Sequence, residues 1–244
     1  MPFKAKAQLF DTVFVLDPLG RLSYTPSHLN DRCGAMFITF EGIEGSGKTT
    51  QIKLLRKTLK DQGLSCLTTR EPGATKIGLQ IRKILLDQKN KKLAPQAELF
   101  LYLADRCQHL TEKIHPALSQ GRWVISDRFW DATVVYQGLA RGLDLKILNQ
   151  LRPWILGKVS PDRTFLLDLP VAMGLARAWK RINDSSGGDK EARFEKEAKT
   201  FHEKIRQGYL TLARKEPDRI KVLDAALPPG IIHEQIKALL SFPT

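Results

Sequence analysis

A glycine-rich segment constrains the fold of this chain more than any other feature. Residues 36–51 read MFITFEGIEGSGKTTQ, an apolar run that stops at a glycine and continues into a helical pattern. Gly42, Gly47, Lys48 and Thr49 have the spacing G-x-x-x-x-G-K-T. Such glycines let backbone N–H groups converge on phosphate oxygens, and the N-terminus of the following helix adds partial positive charge. The segment therefore predicts a strand, a phosphate-binding loop (the P-loop) and a helix, in that order.

The predicted ligand of this loop is a nucleoside triphosphate with its magnesium ion. Lys48 would reach the β- and γ-phosphates, and the hydroxyl of Thr49 would bind Mg²⁺. A GTPase would need an Asn-Lys-x-Asp motif to bind guanine, and the chain has none. The residues expected to bind the triphosphate are Gly42, Ile43, Glu44, Gly45, Ser46, Gly47, Lys48, Thr49 and Thr50.

Apolar, β-rich runs alternate with helical patterns from Met36 onward. The predicted strands lie at 36–41, 65–69, 123–127, 164–169 and 219–224. The predicted helices lie near 48–62, 76–87, 95–120, 143–151, 171–181, 194–215 and 230–241. Short strands that are apolar on both faces and separated by helices indicate a parallel sheet that is covered on both sides. The sequence therefore predicts an α/β fold, a five-stranded parallel sheet with helices on both faces.

Two segments stand apart from this pattern. Residues 1–35 hold four basic and three acidic side chains, and we interpret them as an extension that is disordered or forms a small hairpin with a turn at 17–20. Residues 180–193 are rich in Gly, Ser and charge, and they predict a mobile loop between two helices. The main domain would then span 36–244.

Composition narrows the classes of partner. The net charge of +13 suggests a polyanion, but no run of five or more Lys or Arg occurs, which favours small phosphates over nucleic acid. No apolar run approaches the ~20 residues of a membrane span. Cys33, Cys66 and Cys107 are far apart, as expected for reduced thiols in a cytoplasmic protein.

Three arginines indicate what happens to the triphosphate. Arg70, Arg106 and Arg128 follow predicted strand ends or lie on the first long helices. Ligands of α/β proteins bind at the carboxyl edge of the sheet, and guanidinium groups bind phosphate bidentately. This set favours phosphoryl transfer onto a second phosphate over hydrolysis.

Several motifs together resemble the bacterial thymidylate (dTMP) kinases, in the same order and spacing and over about residues 36–240. They are FITFEGIEGSGKTTQ, TREPGAT, LADRCQH, ISDRFWDATVVYQG followed by RGL, and LLDLP. The resemblance implies the P-loop kinase fold with a short lid at about 180–193, and transfer of the ATP γ-phosphoryl group to dTMP to give dTDP. It also implies a homodimer, with the helix at 95–120 as a candidate interface.

The resemblance also implies roles for single residues. Arg70 and Arg128 would hold the dTMP phosphate, and Asp127 would help to place Mg²⁺ or its water. Glu44 would face the sugar 3′-hydroxyl, and Tyr136 would crowd the 2′ position. The residues implied to contact the base are Arg106 at the thymine edge, Thr133 and Gln137 along the base, and Tyr102 stacked on it.

The transferring phosphoryl group needs a further cation, because the interior of the P-loop carries no basic residue. In similar kinases of this kind the lid supplies an arginine, which makes Arg193 the first candidate and Arg181 the second. The acceptor phosphate is already anionic, so Asp127 is not expected to act as a base. The predicted catalytic residues are Lys48, Asp127, Arg128, Arg193 and Arg181.

Two alternatives remain open at this point. Another nucleoside monophosphate kinase or deoxynucleoside kinase could be built on the same scaffold. A P-loop ATPase that binds nucleic acid is the alternative of a different class, and only the net charge favours it.

Overall fold

The computed structural model describes residues 34–184, 193–195 and 197–242, together with the backbone of two strands near the N-terminus. These two strands, β1 (Val13–Leu16) and β2 (Leu22–Thr25), pair antiparallel. The predicted turn at 17–20 lies outside the described residues. The division of the chain at residue 35 stays a prediction.

A five-stranded parallel sheet forms the centre of the described structure, as predicted. Its strands are β3 (Phe37–Glu41), β4 (Cys66–Arg70), β5 (Trp123–Asp127), β6 (Arg163–Asp168) and β7 (Ile220–Asp224). Their order across the sheet is β4-β5-β3-β6-β7, which places the P-loop strand in the middle. Each strand lies within one residue of its predicted position.

Helices cover both faces of the sheet. They are α1 (Lys48–Asp61), α2 (Lys76–Leu86), α3 (Pro95–His109), α4 (His115–Ser119), α5 (Trp130–Thr133), α6 (Leu145–Leu156), α7 (Val171–Asp184), α8 (Lys199–Lys215) and α9 (Pro229–Ala238). On β3, Ile38 and Phe40 pack into one hydrophobic cluster and Phe37 into another. This alternation confirms a sheet that is buried on both sides. No described helix has the length and apolar character needed to cross a membrane.

The structure corrects several helix boundaries. Helical backbone from Trp130 to Ala140, whose second part is a π-helix at Val134–Ala140, had no predicted counterpart. Its β-branched residues favour a strand locally, but Val135 and Tyr136 are buried and the segment packs against α8. Helix α6 continues through Pro153 and ends before Gly157.

The segment predicted as a lid, 180–193, is described only at its two ends. Helix α7 continues to Asp184, which places Lys180 and Arg181 on a helix. Residues 193–195 form a turn, and α8 begins only at Lys199. The rest of the predicted lid, residues 185–192, lies outside the described residues.

Candidate active site

A cleft of about 1140 Å³ opens at the carboxyl ends of the strands. Its walls include most of the residues that the sequence singled out, namely Glu44, Gly45, Ser46, Gly47, Lys48, Thr49, Thr50, Arg70, Tyr102, Arg106, Asp127, Arg128, Thr133, Tyr136, Gln137 and Arg181. Three predicted site residues, Gly42, Ile43 and Arg193, do not line it. The structure thus brings the P-loop and the three arginines into one cavity.

The P-loop is shaped by its glycines and by Lys48. Gly42 has a φ of 137°, and a Cβ there would lie 2.6 Å from the carbonyl oxygen of Leu167. The Lys48 ammonium donates to the carbonyl oxygens of Gly42 (3.0 Å) and Ile43 (2.9 Å). Burial, followed by the nearby charge of Arg128, lowers the pKa of Lys48 to about 8. The loop therefore holds a desolvated cation at the start of α1, where a phosphate chain would lie.

Glu44 joins the P-loop to the arginine side of the cleft. Its Oε1 accepts hydrogen bonds from Arg128 Nη2 (3.0 Å) and the Tyr136 hydroxyl (2.7 Å), and a ring nitrogen of His202 lies 3.5 Å from its Oε2. Burial would raise the pKa of Glu44, but His202, Arg128 and Lys48 outweigh burial and hold it well below its usual range. The Glu44 carboxylate is therefore ionised beside Arg128.

Arg128 has the only positive φ (72°) of a non-glycine residue among the described residues. Three hydrogen bonds keep this turn. Arg128 N donates to Phe40 O (3.0 Å), the Ser126 hydroxyl donates to Arg128 O (2.7 Å), and Phe129 N donates to Glu41 Oε1 (2.8 Å). Such a backbone conformation costs ~1–3 kcal/mol and persists only where its surroundings impose it. Here it directs the guanidinium group across the cleft, 4.9 Å from the centre of the Tyr136 ring.

Arg70 and Asp127 end neighbouring strands. They are register partners at the carboxyl ends of β4 and β5, and both line the cleft. A cation and a carboxylate therefore lie side by side at the carboxyl edge of the sheet, with β5 and its Asp127 next to the P-loop strand β3 and Arg70 one strand further out. The signal for this placement was already in the sequence, because both residues close predicted strands.

Arg106 is fixed in a buried network at the other end of the cleft. Its Nε donates to Glu71 (2.7 Å), its Nη1 to the Thr133 hydroxyl (2.7 Å) and its Nη2 to the Phe129 carbonyl (2.9 Å). The other oxygen of Glu71 contacts His109 Nδ1 at 2.8 Å. Burial would raise the pKa of Glu71, but Arg106 and then His109 outweigh it and lower the pKa. Sequence reasoning missed Glu71, although it stands directly after Arg70 in the TREPG motif.

The two candidate lid arginines lie in different environments. Arg193 is buried, its Nη2 pairs with Glu98 (2.7 Å) and its Nε donates to the carbonyl of Leu85. Arg181 is largely exposed, with 63% of its side chain accessible, and it lines the cleft 3.6 Å from Glu195. Arg181 is therefore the candidate with direct access to a ligand.

The end of the cleft beyond the P-loop was missed by sequence reasoning. It is lined by Gln51, Arg177, Ala225, Leu227, Pro229 and Ile232. Arg177 Nη1 donates to the carbonyl oxygen of Ala225 (3.1 Å), which joins α7 to the loop after β7. The predicted strand end at 224 was the available signal, since ligand-binding loops follow the carboxyl ends of strands.

This arrangement defines a P-loop nucleotide kinase: a parallel sheet, a phosphate-binding loop after its middle strand, and three arginines in the same cleft. A model of the family "Thymidylate kinase" matches residues 40–236. The chain belongs to the thymidylate kinase family, whose reaction is the ATP-dependent phosphorylation of dTMP to dTDP.

Individual relatives agree with this assignment. A thymidylate kinase of Desulfosudis oleivorans is 50% identical over 205 residues, covering 84% of this chain and 96% of the relative. That of Syntrophotalea carbinolica is 55% identical over 191 residues, covering 78% and 88%. The crystal structure of thymidylate kinase from Ehrlichia chaffeensis has a TM-score of 0.66 at 34% identity, covering 85% of this chain and 99% of that one.

Proposed function

We propose that this chain transfers the γ-phosphoryl group of ATP to a phosphate oxygen of dTMP, with both nucleotides bound in the one cleft. The observation that carries the proposal is the continuity of that cleft from Lys48 to Arg128 and Arg106. Two polyanions repel each other, and cations between them lower the cost of bringing them together.

ATP would bind along the P-loop. Backbone N–H groups of residues 45–49 and the Lys48 ammonium would hold its phosphates, in exchange for the carbonyl partners that Lys48 has now. The adenine would lie against the apolar side chains of Leu227 and Ile232 and the guanidinium of Arg177, since this wall combines apolar surface with a stacking group.

dTMP would bind at the arginine side. Arg70 and Arg128 would hold its phosphate bidentately. The ionised Glu44 would accept a hydrogen bond from the 3′-hydroxyl, and Tyr136, hydrogen-bonded to Glu44, would leave little room for a 2′-hydroxyl. Tyr102 and Thr133 would contact the base next to Arg106.

Magnesium fits this site as a cofactor shared with ATP. The residues that would hold it are Thr49, through its hydroxyl, and Asp127, directly or through a water. One carboxylate and one hydroxyl suit Mg²⁺, which keeps several waters and binds mainly to substrate phosphates. Among the described residues, no group of three or more His, Cys, Asp or Glu side chains is arranged to hold a metal ion by itself. When bound, Mg²⁺ supplies charge neutralisation on the phosphate oxygens.

Catalysis would come from alignment and charge neutralisation, without a general base. Lys48 would neutralise the transferring group from one side. Arg181 would do so from the other, supported by its exposure and its place in the cleft wall. Arg193 would first have to leave Glu98, so we rank it second.

The assembly and location are also proposals. A homodimer through α3 is supported by exposed Phe100 on α3 and exposed Trp154 on α6, two helices in mutual contact. A cytoplasmic location is supported by the free thiols of Cys66 and Cys107.

A substrate screen tests the reaction. ADP release would be measured with ATP, Mg²⁺ and each of dTMP, dUMP, dCMP, GMP and thymidine, using the chain with and without residues 1–35. We expect dTMP to give the highest kcat/KM. A preference for thymidine or another monophosphate would support a different kinase of the same scaffold. DNA-stimulated hydrolysis that needs no dTMP would support the nucleic-acid-dependent ATPase.

A further inference from the structure

Glu98 is a buried carboxylate behind the base end of the cleft. It lies on α3 with 1% of its surface exposed, and three side chains converge on it. Arg193 Nη2 donates to Oε2 at 2.7 Å, while Gln137 Nε2 (2.9 Å) and Arg141 Nε (3.5 Å) approach Oε1. Glu98 belongs neither to the P-loop motif nor to the set of arginines in the cleft, and no role has been given to it so far.

The contact with Glu98 fixes the orientation of the Gln137 amide. A carboxylate held between two guanidinium groups can only accept hydrogen bonds. Gln137 must therefore turn its NH₂ group toward Glu98, because the flipped amide would place its carbonyl oxygen against a carboxylate oxygen. Gln137 lines the cleft, and no described group donates to its carbonyl oxygen. The atom that Gln137 offers to a ligand is thus an acceptor.

A donor lines the same cleft, held by Thr133, which stands four residues before Gln137 on the same helical segment. Arg106 uses one N–H of Nη1 for Thr133, which leaves the other Nη1 proton at the cleft wall. A donor next to an acceptor matches a carbonyl next to a ring N–H, the pattern of a pyrimidine-2,4-dione such as thymine. Cytosine presents the reverse pattern, with an amino group next to a ring nitrogen acceptor.

We propose that Glu98 is a positioning residue that sets base specificity, because it locks the Gln137 amide as an acceptor toward the nucleobase. The proposal rests on the function proposed above, in which the base of the acceptor nucleotide lies at Gln137. Glu98 touches no substrate and acts through Gln137 alone.

The substitution Glu98→Gln tests this directly. Arg193, with the shorter contact, would keep the carbonyl oxygen of the new amide, and Arg141 would keep its 2.6 Å contact with Glu197. The new NH₂ group would then face Gln137, which has to flip and present its own NH₂ group to the base. We expect the ratio of kcat/KM for dTMP to that for dCMP to fall by about 10- to 100-fold, the usual effect of mismatching a buried hydrogen bond.

Two comparison variants separate orientation from structure. Glu98→Asp keeps an acceptor-only group and should keep a ratio near that of the unsubstituted chain, even if kcat falls. Glu197→Gln removes a carboxylate from the same arginine cluster without contacting Gln137, and it should leave the ratio unchanged. An unchanged ratio in folded E98Q, or an equal fall in E98D, overturns the proposal.

If E98Q does not fold, a further variant tests whether the Gln137 amide sets the preference for dTMP over dCMP. Gln137→Met retains the length of the side chain but has no amide, and it should lower the same ratio because the acceptor toward the base is lost. If the ratio in Q137M stays at the level of the unsubstituted chain, the proposal about Glu98 is overturned, but the proposed dTMP kinase function is not. Failure of the unsubstituted chain to use dTMP would instead refute the proposed function.

Discussion

The contact between the P-loop and α7 at Gly174 offers a test of how tightly the fold positions the site. A Cβ on Gly174 would lie 2.6 Å from Ile43 Cδ1 and 2.7 Å from the carbonyl oxygen of Glu44. The Ile43 methyl group can move, but the Glu44 carbonyl is part of the P-loop backbone. Gly174→Ala should therefore push α7 and the P-loop apart.

The expected magnitude follows from two opposing effects. Forcing one carbon into a packed contact costs ~1–3 kcal/mol. Replacing glycine by alanine within a helix returns up to ~1 kcal/mol. The net loss in the free energy of unfolding is about 1–2 kcal/mol, which corresponds to a fall in Tm of about 2–8 °C for a domain of this size.

The assay compares thermal unfolding and the KM for ATP in three proteins. Gly230→Ala is the matched control, because Gly230 also lies in a helix, α9, and no atom lies within 4 Å of its added Cβ. G230A should be as stable as the unsubstituted chain or more so. G174A should be less stable and should bind ATP more weakly. Equal Tm and KM values for G174A and G230A would refute the reasoning.

Three further predictions concern the site. Arg181→Ala should lower kcat by ~10³-fold in steady-state kinetics, with little change in the KM for dTMP. Arg193→Ala should mainly lower Tm in thermal unfolding. The opposite pattern would make Arg193 the arginine that acts on the transferring phosphoryl group. Arg70→Ala should raise the KM for dTMP by about 10- to 100-fold through loss of a charged hydrogen bond, and an unchanged KM would remove Arg70 from the phosphate site. Burial raises the pKa of Glu41 from 4.5 to about 7. Between these two pH values the folded state holds a proton that the unfolded state has lost. The free energy of unfolding should therefore fall as pH rises from about 4.5 to above 7. Glu41→Gln should flatten that dependence in denaturant titrations, and parallel curves for the two proteins would contradict it.

The sheet and the P-loop could be predicted from sequence because their signals are local. Each strand is a short apolar run, and the glycine spacing before Lys48 specifies a strand–loop–helix unit. The helix at 130–140 could not be predicted in this way. Its propensities oppose a helix, and packing of Val135 close to Gly208 of α8 decides the outcome.

The side-chain networks of the site could not be predicted from local sequence patterns either, because they join residues that are far apart in the chain. Glu98 meets Arg193 across 95 positions, and Tyr209 donates to Glu41 across 168 positions. A charge at 193 looks like part of a solvated polar segment until the fold brings a buried carboxylate to it. The arginines at strand ends were found because the edge of a parallel sheet is a known ligand site, whereas their partners depend on tertiary contacts.

The central claim is direct transfer between two nucleotides that share one cleft. ³¹P NMR of a reaction with ATP, Mg²⁺ and dTMP follows both fates of the γ-phosphoryl group in one spectrum. We expect the β-phosphate signal of dTDP to grow in step with that of ADP, with no build-up of inorganic phosphate. Inorganic phosphate that grows with ADP while dTMP stays unchanged would contradict it.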